Sequence, residues 1–203
     1  MHWCLISTFH NRRTMSHPEP RIIGGNEARP QSYHHMAVIY RDGSPTCGAV
    51  MISALHVLTA AHCVGAPGSS ALSQLLVGVF RHDLRVGVEQ GVPALEANLS
   101  RDGECAEILP VLWRRQHPDY DDYLWTADVA VMRLARRPRC ADAIVPPLLD
   151  DGTSGHPAGR LATKMGWGST VYSHTRPGFA GSDPSPVLME ATLPVWKVWT
   201  RPA

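Results

Sequence analysis

The sequence lacks an excess of charge of either sign, because 19 lysines and arginines stand against 18 aspartates and glutamates. The resulting formal net charge of +1 offers no electrostatic argument for binding nucleic acid or an anionic membrane surface. A run of about 18 or more apolar residues is also missing, so we expect no transmembrane helix. No internal repeat is visible in the 203 residues.

Proline and glycine are plentiful by contrast, with 17 residues of each. They separate many short apolar runs, which favours strands and turns over long helices. Residues 1–21 form a polar leader without periodicity, and the short apolar runs begin after it. This pattern predicts an all-β barrel or sandwich. The predicted strands are residues 35–40, 47–52, 57–61, 75–79, 108–113, 128–134, 160–167 and 187–195, with a turn at residues 41–44.

The segment with the strongest chemical content is residues 58–63, which read Leu-Thr-Ala-Ala-His-Cys. The imidazole of His62 can take up and return a proton near neutral pH, as general acid–base catalysis requires. An isolated histidine is more often a core residue than a catalytic one. The whole six-residue string reverses that balance and favours a catalytic histidine.

Four motifs carry a family resemblance, and they occur in the family's order. Residues 58–63 resemble the histidine motif of the trypsin/chymotrypsin family of serine endopeptidases. Residues 21–25 (Arg-Ile-Ile-Gly-Gly) resemble its activation junction, and residues 128–131 (Asp-Val-Ala-Val) its aspartate motif. Residues 166–168 (Gly-Trp-Gly) are similar to the turn that opens the second barrel.

The resemblance extends from Arg21 to about Trp196 and implies a fold. We expect an all-β, trypsin-like double β-barrel whose first barrel is complete and whose second is partial. The protease domain would span residues 22–203 and follow the leader at residues 1–21. Activation cleavage after Arg21 would free the amine of Ile22.

The same resemblance assigns catalytic roles to two residues. His62 would be the general base and acid, while Asp128 would accept the other ring N–H, fix the tautomer and stabilise the imidazolium. Asp119, Asp121 and Asp122 compete for the second role, but they lie in a polar loop without a strand pattern. Asp128 instead begins an apolar strand, where a carboxylate needs a partner.

Five cysteines are an odd number, which indicates a free thiol or a partner outside the chain. The resemblance implies a disulfide between Cys47 and Cys63, which would pin the loop that carries His62. Two further pairings stay open, Cys105 with Cys140 or Cys4 with Cys140. Disulfides form in oxidising compartments, and the resemblance implies a secreted, extracellular zymogen, although the apolar patch at residues 3–9 makes a poor secretion signal.

The family's nucleophile string, Gly-Asp-Ser-Gly-Gly-Pro, does not occur after Gly168. The serines that follow lack a sharp glycine turn that would expose a hydroxyl beside backbone donors; they are Ser169, Ser173, Ser182 and Ser185. Residues 152–157 (Gly-Thr-Ser-Gly-His-Pro) look similar to the string. They precede the Gly-Trp-Gly turn and lack the aspartate, so we interpret them as a turn.

The sequence therefore predicts a truncated serine endopeptidase that is inactive as it stands. If completed, it would act on protein or peptide substrates. One alternative is a non-catalytic protease homologue that binds a protein partner and keeps His62 and Asp128 by inheritance. Another is a non-functional product that is degraded. We expect no cofactor and no metal. In particular, residues 77–84 lack the acidic residues of the family's calcium loop, so we expect no calcium site.

Overall fold

The computed structural model describes residues 25–65, 75–85, 102–149, 159–168 and 185–195. Within these ranges the chain forms nine strands and one four-residue helix. They are β1 (Asn26–Glu27), β2 (Met36–Arg41), β3 (Ser44–Met51), β4 (His56–Thr59), α1 (Ala61–Val64), β5 (Leu75–Val79), β6 (Glu107–Gln116), β7 (Ala130–Leu134), β8 (Leu161–Gly166) and β9 (Met189–Pro194). No helix of the described ranges is long and apolar enough to cross a membrane.

Six strands close into a barrel in the order β2-β3-β4-β7-β6-β5, with every neighbouring pair antiparallel. The β2–β3 hairpin turns at Asp42 and Gly43, whose φ angles are 51° and 79°. Two left-handed residues in succession match the right-handed twist of the flanking strands, and Asp-Gly is a favoured sequence for such a turn. The turn is shorter than the predicted residues 41–44, because Arg41 and Ser44 pair with each other.

The strand β2 separates two hydrophobic clusters, which explains why its first five residues are all buried. Ala37 and Ile39 belong to the cluster inside the barrel. Met36, Val38 and Tyr40 point the other way and pack in a second cluster. That second cluster also contains Met165, Trp167 and Leu188 from the far part of the chain.

Close packing on the outer face of β2 requires a glycine on the neighbouring strand. A β-carbon at Gly78 would lie 2.8 Å from Cε2 of Tyr40 and 2.9 Å from Cγ1 of Val38. Both distances are shorter than carbon–carbon contact allows. Gly78 therefore lets the side chains of Tyr40 and Val38 pack closely against β5.

The remaining strands form a three-stranded antiparallel sheet in the order β1-β9-β8. Three hydrogen bonds join the residues that flank β8 and β9 to the segment after β5. Leu188 N–H donates to the carbonyl of His82 (3.0 Å), Leu84 N–H to that of Pro186 (2.7 Å), and Trp167 Nε1–H to that of His82 (2.9 Å). The closed barrel and this partial second sheet confirm the predicted fold class.

Most strand boundaries differ by one to three residues from the sequence prediction, and three of the differences lie near His62 and Asp128. The strand predicted from residue 57 to 61 ends at Thr59, and Ala61 begins α1. The strand β6 continues to Gln116, three residues beyond the predicted end, because its polar residues still pair with β7. The strand β7 starts at Ala130 rather than at Asp128, since Ala127 is left-handed and the N–H of Val129 donates to its carbonyl at 2.7 Å.

Candidate active site

The short helix α1, which follows β4 almost directly, carries His62. Ala60 is still extended, with φ −77° and ψ 146°, and Gly65 ends the helix with φ 67°. Thr59 Oγ1 donates to the carbonyl of Gly48 at 2.9 Å, and Gln116 Nε2 donates to that of Ala61 at 2.9 Å. These two bonds tie both ends of the Thr-Ala-Ala segment to β3 and β6, so the barrel fixes where the helix begins.

His62 and Asp128 meet through two hydrogen bonds. Nδ1 of the imidazole lies 2.7 Å from Oδ2 of the carboxylate, and the backbone N–H of His62 donates to Oδ1 at 3.0 Å. The side chain of Asp128 is 2% exposed and that of His62 is 34% exposed. Because an ionised carboxylate can only accept, Nδ1 is the donor in this contact, and in a neutral imidazole this leaves Nε2 as the acceptor.

The loop before Asp128 is held in an unusual backbone conformation. Trp125 and Ala127 have φ angles of 55° and 50°, which cost a non-glycine residue roughly 1–2 kcal/mol each. The ring of Trp125 lies against that of His62, with centroids 5.0 Å apart and an interplanar angle of 57°. The N–H of His117 donates to the carbonyl of Val129 at 2.8 Å and anchors the loop on its far side. These contacts hold Asp128 beneath the imidazole.

The three acidic residues considered as competitors lie elsewhere in this loop. Oδ1 of Asp121 accepts the N–H groups of Tyr123 (2.9 Å) and Leu124 (2.8 Å), which is a local turn. Asp119 and Asp122 are exposed. In the described part of the chain, the carboxylate that His62 contacts is that of Asp128.

Tyr120 adds an aromatic hydroxyl near the pair. Burial raises its pKa, and the carboxylates of Asp128, Asp122 and Asp121 raise it further, in that order. These effects favour the neutral form of the hydroxyl.

A disulfide joins Cys47 on β3 to Cys63 on α1, as predicted. A second one joins Cys105 to Cys140, which decides between the two open pairings. Cys4 lies outside the described residues. Sγ of Cys63 lies 3.4 Å from Nε2 of His62, so the disulfide borders the imidazole edge that faces away from Asp128.

Several predicted positions receive no structural description. The leader at residues 1–21, the junction at Arg21 and Ile22, and the turn at residues 152–157 lie outside the described residues. The same holds for three of the four serines after Gly168. The fourth, Ser185, is buried and its hydroxyl donates to the carbonyl of Val187 at 2.7 Å, which is a structural contact.

Two residues of the site were missed in the sequence. Gln116, which holds the carbonyl of Ala61, looks like an ordinary polar residue after a strand. Trp125 belongs to the run Tyr-Leu-Trp inside an otherwise acidic loop. Large apolar residues in an acidic loop indicate that the loop packs against another part of the protein. In the structure, Trp125 packs against His62.

Comparison with known proteins identifies relatives across most of the chain. The family model described as Trypsin matches residues 22–198. Cathepsin G of Mus musculus is 30% identical over 156 residues, which cover 75% of this chain and 51% of that protein. Kallikrein-15 of Homo sapiens is 29% identical over 197 residues, which cover 94% of this chain and 65% of that protein. The chain thus spans about half the length of the first relative and about two thirds of the second.

Solved structures show the same fold. A mutant of human heparin binding protein superposes with a TM-score of 0.67 at 22% identity, covering 87% of this chain and 67% of that one. Neuropsin, a serine protease of mouse brain, superposes with a TM-score of 0.64 at 21% identity, covering 87% and 66%. Identities this low support the architecture and no finer conclusion.

Proposed function

Because this chain belongs to the trypsin family of proteases, we propose that His62 and Asp128 are the general base and its orienting carboxylate in a serine-type endopeptidase. One observation carries the proposal: the 2.7 Å contact between Nδ1 of His62 and Oδ2 of the buried Asp128. The second bond, from the backbone N–H of His62, stops the carboxylate from rotating away.

The proton path follows from this arrangement. Nε2 of His62 takes the proton of an attacking hydroxyl and later returns it to the leaving amine. Asp128 stays ionised and stabilises the imidazolium that exists between these two transfers. Its burial strengthens that interaction, because little water competes for the carboxylate.

The string Gly-Asp-Ser-Gly-Gly-Pro, which by the family resemblance would carry the attacking hydroxyl, does not occur in the 203 residues. We therefore propose that the chain made by itself hydrolyses no peptide bond. A form that carries the string would be activated by cleavage between Arg21 and Ile22. It would act on protein or peptide substrates outside the cell, and the two disulfides support an oxidising compartment.

The test uses a transcript that continues past the codon for Ala203 into an in-frame serine string. Its product, cleaved after Arg21, is assayed with a peptide substrate. We expect Asp128→Asn and His62→Ala each to lower kcat about 10⁴-fold or more. The matched controls are His56→Ala, a partly buried histidine on β4, and Asp142→Asn, an exposed aspartate. Both should retain activity.

Two results would overturn the proposal. In one, the folded, cleaved product has no hydrolytic activity, which supports a non-catalytic homologue that binds a partner. In the other, activity survives in the His62→Ala variant. A folded product is recognised by its two intact disulfides and by cooperative unfolding.

A further inference from the structure

The disulfide beside His62 places three metal-ligating atoms together. Sγ of Cys47, Sγ of Cys63 and Nε2 of His62 all lie within 4.8 Å of one another. While the disulfide is intact, its sulfurs are poor ligands, because zinc binds the thiolate. The oxidised protein therefore offers a single nitrogen at this position.

We propose that reduction of the Cys47–Cys63 disulfide turns these three residues into a site for Zn²⁺. Two electrons and two protons convert the disulfide into two thiols. A phosphine reductant supplies the electrons and becomes the phosphine oxide, with its oxygen taken from water. Binding of Zn²⁺ then displaces the two thiol protons. Two thiolates balance the charge of the ion, and the proposal does not depend on the proposed proteolysis.

The distances suit zinc with little rearrangement. Zinc–sulfur bonds of about 2.3 Å and zinc–nitrogen bonds of about 2.0–2.1 Å place the ligand atoms of a tetrahedral site roughly 3.5–3.8 Å apart. Nε2 of His62 already lies 3.4 Å from Sγ of Cys63. The Cα atoms of Cys47 and Cys63 are 6.1 Å apart, which leaves room for the two sulfurs to separate.

Contacts other than the disulfide hold the two cysteines in place. Cys47 pairs with Ile39 within the β2–β3 ladder. The carbonyl of Cys63 accepts from Nη2 of Arg41 at 2.6 Å, and its N–H donates to the carbonyl of Ala60 at 3.2 Å. The disulfide joins residues 16 positions apart, and the backbone bonds above do not involve it. We therefore expect the two thiols to remain neighbours after reduction.

The surroundings also match a catalytic-type zinc site. A histidine that binds zinc usually donates its other ring N–H to a carboxylate, and Nδ1 of His62 already has this contact with Asp128. The partial exposure of His62 leaves a fourth position for water. Thiolate and imidazole ligands favour zinc over magnesium or calcium. The metal would occupy Nε2, so the zinc-bound form could not use His62 as a general base.

The experiment isolates these two thiols in the 203-residue chain. A background variant carries Cys4→Ser, Cys105→Ser and Cys140→Ser, and it is reduced with a phosphine and titrated with Zn²⁺ against a chromophoric chelator. We expect one Zn²⁺ per reduced chain and no comparable binding by the oxidised chain. Asp128→Asn should weaken binding about 10–100-fold, and His62→Gln should weaken it more. His56→Gln, the matched histidine control, should leave it unchanged.

A second measurement uses the unsubstituted chain, in case the background variant does not fold. The fully reduced chain is alkylated with iodoacetamide with and without Zn²⁺, and each cysteine is mapped by mass spectrometry. We expect Zn²⁺ to protect Cys47 and Cys63 more than Cys105 and Cys140. Equal protection of all four cysteines would overturn the proposal. Equal Zn²⁺ affinity of the His62→Gln and His56→Gln variants, or of the oxidised and reduced chains, would do so as well.

Discussion

The six-stranded barrel and the three-stranded sheet are built from the same kind of strand but bury their residues differently. Inside the barrel, strands such as β7 alternate between buried and partly exposed residues around one continuous core. In the sheet, β9 has no fully buried residue and β1 is exposed. The buried residues of β8 are Met165 and Gly166, at the end that meets the barrel.

This difference in burial indicates that the three-stranded sheet depends on the barrel for its stability. A closed barrel has no free edges, and within the described residues all six of its strands contribute to one core cluster. The sheet gains its burial from the second cluster around Tyr40 and Trp167, so it needs the barrel as a support. Both residues of the proposed catalytic pair, and both cysteines beside it, belong to the barrel. The geometry of the site should therefore survive changes that loosen the sheet.

The largest effect is expected at a buried ion pair in the segment after β5, where the carbonyl of His82 accepts hydrogen bonds from Leu188 and Trp167. Nε of Arg81 donates to Oδ2 of Asp102, and Oδ1 of Asp102 accepts the N–H groups of His82 and Asp83. Asp102→Ala would leave a buried guanidinium without its anion, which costs about 3–5 kcal/mol. Urea denaturation measures this loss. Asp142→Ala, which removes an exposed carboxylate, is the control, and a loss equal to that control would contradict the role of the pair.

A smaller effect is expected at high pH from Tyr40, on the face of β2 that meets the sheet. Burial raises the pKa of Tyr40 from 10.0 to about 12, although the positive charge of Arg81 acts to lower it. The unfolded chain releases this proton near pH 10 and the folded chain releases it near pH 12. The free energy of unfolding should therefore fall by about 2–3 kcal/mol as pH rises through this interval.

Tyr40→Phe isolates that contribution. At pH 9 the variant should be less stable by about 1–2 kcal/mol, because it loses the hydrogen bond from Nη1 of Arg81. Since phenylalanine does not titrate, the deficit of the variant should disappear between pH 10 and pH 12, and the variant should become the more stable protein at the upper end of this interval. Guanidinium denaturation at several pH values measures it, and a constant difference would show that Tyr40 ionises normally in the folded protein.

The smallest effect is expected from a substitution at Trp167, which should change the stability of the sheet and leave that of the barrel unchanged. Trp167→Phe removes the hydrogen bond from Nε1 to the carbonyl of His82, worth about 1 kcal/mol. We expect amide exchange to accelerate about fivefold in β8 and β9 and to stay unchanged in the barrel. Trp113→Phe, on the partly exposed face of β6, is the control. Equal acceleration in both regions would mean that sheet and barrel unfold together.

Sequence patterns predicted most of the barrel because its strands are apolar runs separated by turn residues. The run at residues 75–79 was located to the residue. The end of β6 was missed because residues 114–116 are polar and pair only through their backbone. The start of β7 was missed because left-handed Ala127 has no sequence signal, since alanine rarely adopts that conformation.

The candidate site was predicted in part for similar reasons. His62 and Asp128 lie in motifs, so sequence alone could name them. The packing of Trp125 on His62 depends on backbone conformation, which a single sequence does not specify. The Cys105–Cys140 pairing could not be chosen because spacing alone does not determine disulfide connectivity.

The most direct test of the proposed protease function is reaction of the native protein with a fluorophosphonate probe. The protein that contains this chain is purified from its source with an antibody against residues 25–65, and the labelled serine is located by peptide mapping. We predict label on a serine outside the 203 residues, and none on the recombinant 203-residue chain. A folded native protein cleaved after Arg21 that takes up no label would contradict the proposed function, as would label on a serine within the 203 residues.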